Sequence, residues 1–241
     1  VYQQSQSFVN TPWKAYVEGD YSAISDKAKQ GALLFLRETT ASGAGCATCH
    51  SGDFFTNEKF EAIGFPQIGP GKGKKGAATD DDLGRGALIT TPGLDYRFRN
   101  TSLLNIAATG PYGHAGAYQT LEEVVEHYAD AEATVARYFS NGGWCQLEQF
   151  STVTGCASLY PDAESNTEKS REMVLSENDN GRGMLDINLR PRDIAQIVAF
   201  LNTLTDPCIL QRECVANWIP KPLDAPDGHQ LNARGKDGKR L

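Results

Sequence analysis

The chain has 241 residues, 40% hydrophobic and 22% charged, a globular balance that excludes a disordered, collagen-like or coiled-coil protein. Acidic residues outnumber basic ones by 30 to 23, and the net charge of −7 argues against a nucleic-acid partner held through its phosphates while permitting a basic protein partner. The longest apolar run, Ala32 to Leu36, is far too short for a membrane span.

Residues 1–22 read as irregular, an N-terminal extension or interdomain segment. A helix is predicted from about Ser25 to Leu36, capped by Ser25, with Ile24, Ala28, Ala32 and Phe35 at helical spacing. Residues 64–93, rich in Gly, Pro and charge, read as a long surface loop. Within it, Gly71-Lys72-Gly73-Lys74-Lys75-Gly76 matches a dinucleotide fingerprint in letters only, since neither a strand precedes it nor a helix follows. A second helix starts after Thr120, where Thr120 and Glu123 form a capping box, and its stripe of Leu121, Val124, Val125 and Tyr128 is expected to continue to Phe139. Residues 140–188 are polar with few periodic signals and read as a loop-rich insertion. A third helix opens at Pro191, with Ile194, Ile197, Val198, Leu201 and Leu204 as its core face. Residues 207–241 read as a tail that wraps the surface. Strand signals are weak throughout, so the fold class is mostly α, with its body at 23–206.

The six cysteines fall into three sequence-local pairs. Cys145–Cys156 and Cys208–Cys214 are expected to be disulfides, each closing a short loop and stabilising the fold by roughly 2–3 kcal/mol on the chain-entropy model. Disulfides imply an oxidising compartment, here a periplasmic or otherwise exported location. The polar start Val1-Tyr2-Gln3-Gln4 has no signal-peptide character, so the chain reads as mature, trimmed or part of something longer.

The remaining pair lies in Cys46-Ala47-Thr48-Cys49-His50. This is the spacing at which two thiols add to the vinyl groups of one haem while the adjacent imidazole ligates iron. A redox dithiol would not need His50 and would expect a βαβ setting. A zinc site would need further paired ligands, and only His114, His127 and His229 are left to supply them. One motif implies one covalent haem c. The sixth position on iron stays open on residue grounds: the chain has two methionines, Met173 and Met184, and Met184 lies ahead of a C-terminal helix that could bring it to the haem.

The stretch Arg97-Phe98-Arg99-Asn100-Thr101-Ser102-Leu103-Leu104-Asn105-Ile106-Ala107-Ala108-Thr109-Gly110-Pro111-Tyr112-Gly113-His114, running on through Leu121-Glu122-Glu123-Val124-Val125-Glu126-His127-Tyr128, resembles the bacterial di-haem cytochrome c peroxidases and their MauG-type relatives. So do the region from Ala15 through the motif to Phe55-Thr56-Asn57 and the run Ile197 to Asp206. The resemblance covers most of the chain outside residues 140–188.

The resemblance implies a cytochrome c-like haem domain, the second of two, whose partner is an N-terminal haem domain or a second haem protein that reacts with peroxide. In the MauG type, the two haems share the oxidising equivalents and withdraw electrons from a distant residue of a redox partner protein. The distal ligand of the second haem matches Tyr128, where peroxidases of the family carry Met and the MauG type carries Tyr. Tyr128 continues the helix stripe, while His127, the better ligand chemically, points about 100° away. Family calcium ligands, both backbone carbonyls, match Thr109 and Pro111, and a main-chain oxygen suits a hard cation. Arg97 and Arg99 are candidates for the haem propionates or a solvated surface pair, and His114 for a group orienting the haem or an ordinary hydrogen-bonded His. The rival function is a stand-alone mono-haem electron carrier that makes no use of peroxide.

Overall fold

The structure is a computed structural model that describes residues 5–69, 81–89, 91–179 and 187–219. Helices α1 (Pro12–Val17), α2 (Asp26–Leu36), α3 (Leu121–Ala129), α4 (Ala131–Ser140), α5 (Ala163–Asp179), α6 (Pro191–Asn202) and α7 (Arg212–Val215) are joined by short 3-10 turns. Strands β1 (Phe60–Ala62) and β2 (Arg97–Arg99) form one antiparallel pair, with Phe60 opposite Arg99 and Ala62 opposite Arg97. The fold is mostly α.

The main core forms where α2 crosses α6. Ser25 caps α2 by accepting from the Ala28 amide, and Ala28, Ala32 and Phe35 fall on its buried face. On α6, Pro191 occupies the first turn, and the Asp193 carboxylate reaches back to the Arg190 amide at 3.1 Å. The buried α6 face is Ile197, Val198, Phe200 and Leu201, continued by Leu204. Ile194 stays half-buried, and Phe200, absent from the predicted stripe, is fully buried. Phe200 packs against Phe35 at 5.0 Å, Phe55 at 6.0 Å and Trp13 at 4.9 Å between ring centroids.

Several expectations need correction. The N-terminal stretch is not irregular throughout. Thr11 accepts from the Lys14 amide, Pro12 takes the first turn, and α1 docks through Trp13 on Phe200 and the Thr203 carbonyl. The second predicted helix does not run on to Phe139. Asp130 breaks it with φ −157° and ψ 88°, ending α3 and capping α4 through the Ala133 amide. Residues 140–188 contain a 17-residue helix, α5. Its buried face is Ala163, Asn166, Thr167, Ser170 and Val174, a helical stripe built largely of small polar side chains. Thr167 accepts from the Gln67 amide at 2.8 Å and so keeps that buried N–H paired. Residues 64–93 are not all surface, because Leu83 and Ala87 are buried with Tyr96, and Met173 of α5 packs on them.

A second core joins Ala117, Tyr118, Tyr138, Trp144, Leu147 and Ala163. It is stapled by the Cys145–Cys156 disulfide, and Cys208–Cys214 staples the segment around α7, both as the local pairing predicts. The tail follows the surface as far as Trp218, whose indole meets Phe8 at 5.2 Å and donates to Ser5. The Gly71–Gly76 fingerprint, Met184 and His229 lie outside the described residues.

Candidate functional site

Cys46 to Thr48 form a single 3-10 turn entered from Gly45, which adopts the left-handed conformation at φ 66° that only glycine enters without strain. The turn is separated from α2 by another 3-10 turn, Thr39–Ala41, and is tied back to that helix end by the Ala44 amide to the Leu34 carbonyl at 2.7 Å and by the Gly45 amide to the Arg37 carbonyl at 2.8 Å. Cys46 and Cys49 are free and half-buried, whereas the four other cysteines are paired. Burial pushes the Cys46 thiol up to about 12 and also raises Cys49, where Glu61 adds to the effect. A working redox dithiol requires a lowered pKa, so this setting opposes it.

His50 is held from both ends. Its amide donates to the Cys46 carbonyl at 2.9 Å, and its Nδ1 lies 3.1 Å from the Phe55 carbonyl oxygen. A carbonyl only accepts, so Nδ1 carries the proton and Nε2 keeps its lone pair, the tautomer a metal ligand needs. Burial lowers the His50 pKa, which favours this neutral form. Phe55 reaches the required position with φ 50°, while its ring is buried against Phe35 and Phe200. Half-buried apolar side chains adjoin the same core: Leu103, Leu104, Ile106, Leu189 and Ile194. Two unpaired thiols, a neutral imidazole with a fixed tautomer and an incompletely covered apolar wall fit a covalently attached haem.

Tyr128 packs against this core alongside Cys46. Burial raises its phenol above the ordinary value, and the charges that Cys46, Cys49 and Glu61 would carry raise it further. Its neighbour His127, about 100° around α3, is fully buried. His127 Nε2 lies 2.8 Å from the Ile63 carbonyl oxygen and Nδ1 lies 2.9 Å from the Tyr118 hydroxyl. Nε2 must donate to the carbonyl, so Nδ1 accepts from Tyr118, and both ring nitrogens are engaged. Phe65 stacks on the ring at 4.6 Å, and burial lowers the His127 pKa to about 4.

The other candidates are distributed around this centre. Arg97 donates to the Gly93 carbonyl at 2.7 Å and the Phe60 carbonyl at 3.1 Å, and pairs with Glu61 at 3.5 Å. Arg99 is exposed and pairs with Glu58 at 3.1 Å. His114 stacks on Phe98 at 3.8 Å and meets Asp82 at 3.0 Å. Thr109 and Pro111 are exposed. Among the described residues, no group of three or more His, Cys, Asp or Glu side chains could hold a metal ion.

Asn100 was missed by reasoning from motifs. It is buried, donates through Nδ2 to the Cys49 carbonyl and to Asn57 Oδ1, and so joins β2 to the cysteine turn. Its position directly after Arg97-Phe98-Arg99, a strand ending at the motif, is the only sequence signal for it.

No family model matches the chain. Over 119 residues it is 34% identical to methylamine utilization protein MauG of Methylophilus methylotrophus, covering 48% of this chain and 31% of that protein. It is 37% identical over 119 residues to MauG of Methylorubrum extorquens, covering 48% and 29%. With cytochrome c551 peroxidase of Pseudomonas aeruginosa it shares 28% identity over 123 residues, covering 51% and 33%. The matched region is thus about a third of the length of these relatives. In fold, it is similar to a MauG-like protein associated with microbial copper homeostasis, with a TM-score of 0.54 at 21% identity over 86% of this chain and 51% of that one. Half of the chain is thus similar in sequence to MauG proteins and to a cytochrome c peroxidase.

Proposed function

We propose that this chain is the second-haem domain of a di-haem peroxidase or MauG-type oxidoreductase, with one haem c on Cys46 and Cys49, His50 as proximal ligand and Tyr128 as distal ligand. The observation that supports the reading is the division of labour on α3: Tyr128 packs on the same core as Cys46 while His127 spends both nitrogens elsewhere. Bound there, haem supplies reversible one-electron chemistry at iron. Cys46 and Cys49 fix its position through thioethers, and the Phe55 carbonyl keeps the proton on His50 Nδ1 so that Nε2 can ligate. Tyr128 must give up its Oη proton to serve as an anionic ligand. Burial opposes that ionisation, so the phenolate forms only against a cation. An anionic oxygen donor favours the ferric and higher states, where a thioether would favour the ferrous one.

On this reading the electrons pass between this haem and a peroxide-activated haem in an N-terminal domain, and onward to a partner protein. The domain works in the periplasm or another exported compartment, which suits the two disulfides. Arg97, half-buried where Arg99 is exposed, is the arginine we assign to a propionate. The Thr109 and Pro111 carbonyls, on an exposed turn, would offer calcium two main-chain ligands, with the rest coming from outside the chain.

The test is the visible and EPR spectrum of the ferric holoprotein, wild type and Tyr128→Phe, before and after peroxide. A low-spin haem slow to react with peroxide, turning high-spin in Tyr128→Phe, is the expected result. An unchanged ferric spectrum in the variant removes Tyr128 as ligand. A wild-type haem that is already high-spin and reacts at once makes this chain the peroxide-active unit. A native protein without a second Cys-x-x-Cys-His domain supports the mono-haem carrier.

A further inference from the structure

The haem-binding turn is not held by its own helix alone. The Cys49 carbonyl, which belongs to the peptide leading into His50, accepts from the Asn57 amide at 2.8 Å and from Asn100 Nδ2. The same Nδ2 reaches Asn57 Oδ1 at 3.1 Å, and Asn57 Oδ1 also accepts from the Lys59 amide at 2.9 Å. The Asn100 main chain is engaged at both ends. Its amide donates to the Lys59 carbonyl at 2.7 Å, and its carbonyl accepts from Thr56 Oγ1 at 2.7 Å. One asparagine at the end of β2 therefore closes a ring through Cys49, Thr56, Asn57 and Lys59.

That ring encloses both determinants of the His50 imidazole. On the main-chain side it fixes the Cys49–His50 peptide, from which the side chain departs. On the ring side it fixes the loop that carries the Phe55 carbonyl, the partner of His50 Nδ1. The amides of Phe55 and Thr56 fold back on the Gly52 and Ser51 carbonyls, so a shift at Thr56 or Asn57 passes directly to Phe55. From this geometry we infer that Asn100 is a positioning residue that sets the orientation and hydrogen bonding of the axial imidazole, and through it the ligand field of the haem. An amide is required because two oxygens, the Cys49 carbonyl and Asn57 Oδ1, face its nitrogen. A carboxylate of the same shape would set oxygen against both.

The inference rests on the haem at Cys46, Cys49 and His50 and does not depend on Tyr128. It is tested in the holoprotein with Asn100→Ala, Asn100→Asp and Thr56→Val, read by intact mass, ferric EPR and reduction potential. Mass establishes covalent attachment first. A wild type without covalent haem overturns the cofactor reading itself. With haem attached, the expected result is a shift of the EPR g-values and of the potential in Asn100→Ala. The shift is larger in Asn100→Asp and smaller in Thr56→Val, where the Asn100 carbonyl loses its side-chain donor and the exposed Glu58 amide its acceptor. If Asn100→Asp does not accumulate as holoprotein, the other two variants carry the comparison. Attached haem with g-values and potential unchanged in Asn100→Ala overturns the proposal.

Discussion

Gly31 on α2 lies where two opposing effects can be separated by sign. A methyl group there would stand 1.8 Å from the Gln196 carbonyl oxygen, 2.4 Å from its carbon and 3.0 Å from the Ile197 amide nitrogen. All three are α6 backbone, so no side chain can turn aside. Helix propensity alone makes Gly31→Ala stabilising by about 0.8–1 kcal/mol. The crossing reverses this. Restoring ordinary contact requires α2 and α6 to part by about 1.6 Å, and a gap of even 0.5–1 Å forfeits a quarter to a half of the dispersion well. The seam affected is Ala28, Ala32 and Phe35 against Ile197, Val198 and Leu201. Overpacking costs about 1–3 kcal/mol, and a backbone clash belongs at the upper end. The net expectation is a loss of about 2 kcal/mol, equivalent to roughly 4–8 °C in Tm for a chain of this size. Urea unfolding of the holoprotein followed by far-UV circular dichroism gives the free energy, and a thermal scan gives Tm. Phe35 lies 6.5 Å from the His50 ring between centroids, so the haem spectrum should respond as well. A Gly31→Ala protein as stable as wild type or more so refutes the reasoning, because propensity would then have won.

Peptide mapping without reduction should join Cys145 to Cys156 and Cys208 to Cys214, and crossed peptides would reject that pairing. Thr167→Val should cost about 1–3 kcal/mol, because the buried Gln67 amide loses its acceptor, and an unchanged urea midpoint would show that the N–H had found another. His127 should make stability acid-sensitive. Its folded pKa is lowered from 6.5 to about 4, so the unfolded chain takes up a proton first. That contribution is complete above pH 6.5 and falls by roughly 3 kcal/mol as pH drops through the window to about 4. Urea midpoints at pH 7 and pH 4.5 should differ less in His127→Gln than in wild type, and equal differences would refute the assignment.

The fold was legible where burial and hydrophobicity coincide. The Ser25 cap, the Thr120–Glu123 box and Pro191 each mark a helix start that the structure reproduces. It was illegible where they separate. The buried face of α5 carries Asn166, Thr167 and Ser170, which are satisfied by hydrogen bonds or small enough to pack, so an apolar stripe never forms. Asp130 acts at once as the end of one helix and the cap of the next, and a periodicity that runs through it shows no break. Phe200 lies beside the expected α6 stripe and becomes central only because α1, α2 and the Phe55 loop converge on it. At the site, the local motif gave the cysteines and His50, while the Asn100 contact spans 51 residues and is written in no local pattern.

The arrangement on α3 shows why chemical preference alone does not choose a ligand. Imidazole is the stronger neutral donor, yet His127 is committed to a self-contained pair between the Ile63 carbonyl and the Tyr118 hydroxyl. Freeing it for iron would strand a buried carbonyl and a buried phenol, a cost of about 1–3 kcal/mol for each. Turning α3 by the required 100° would also expose Leu121 and Val125 and bury the charged face with Glu122 and Glu126. Tyr128 requires neither change. Its backbone carbonyl holds the Ile187 amide at 3.1 Å, its ring meets Phe65 edge-on at 6.2 Å, and it packs on the same core as Cys46. The proposed ligand is thus selected by the same residues that make α3 a core helix, and a change in the haem's spin state on losing the Tyr128 hydroxyl alone would report that selection directly.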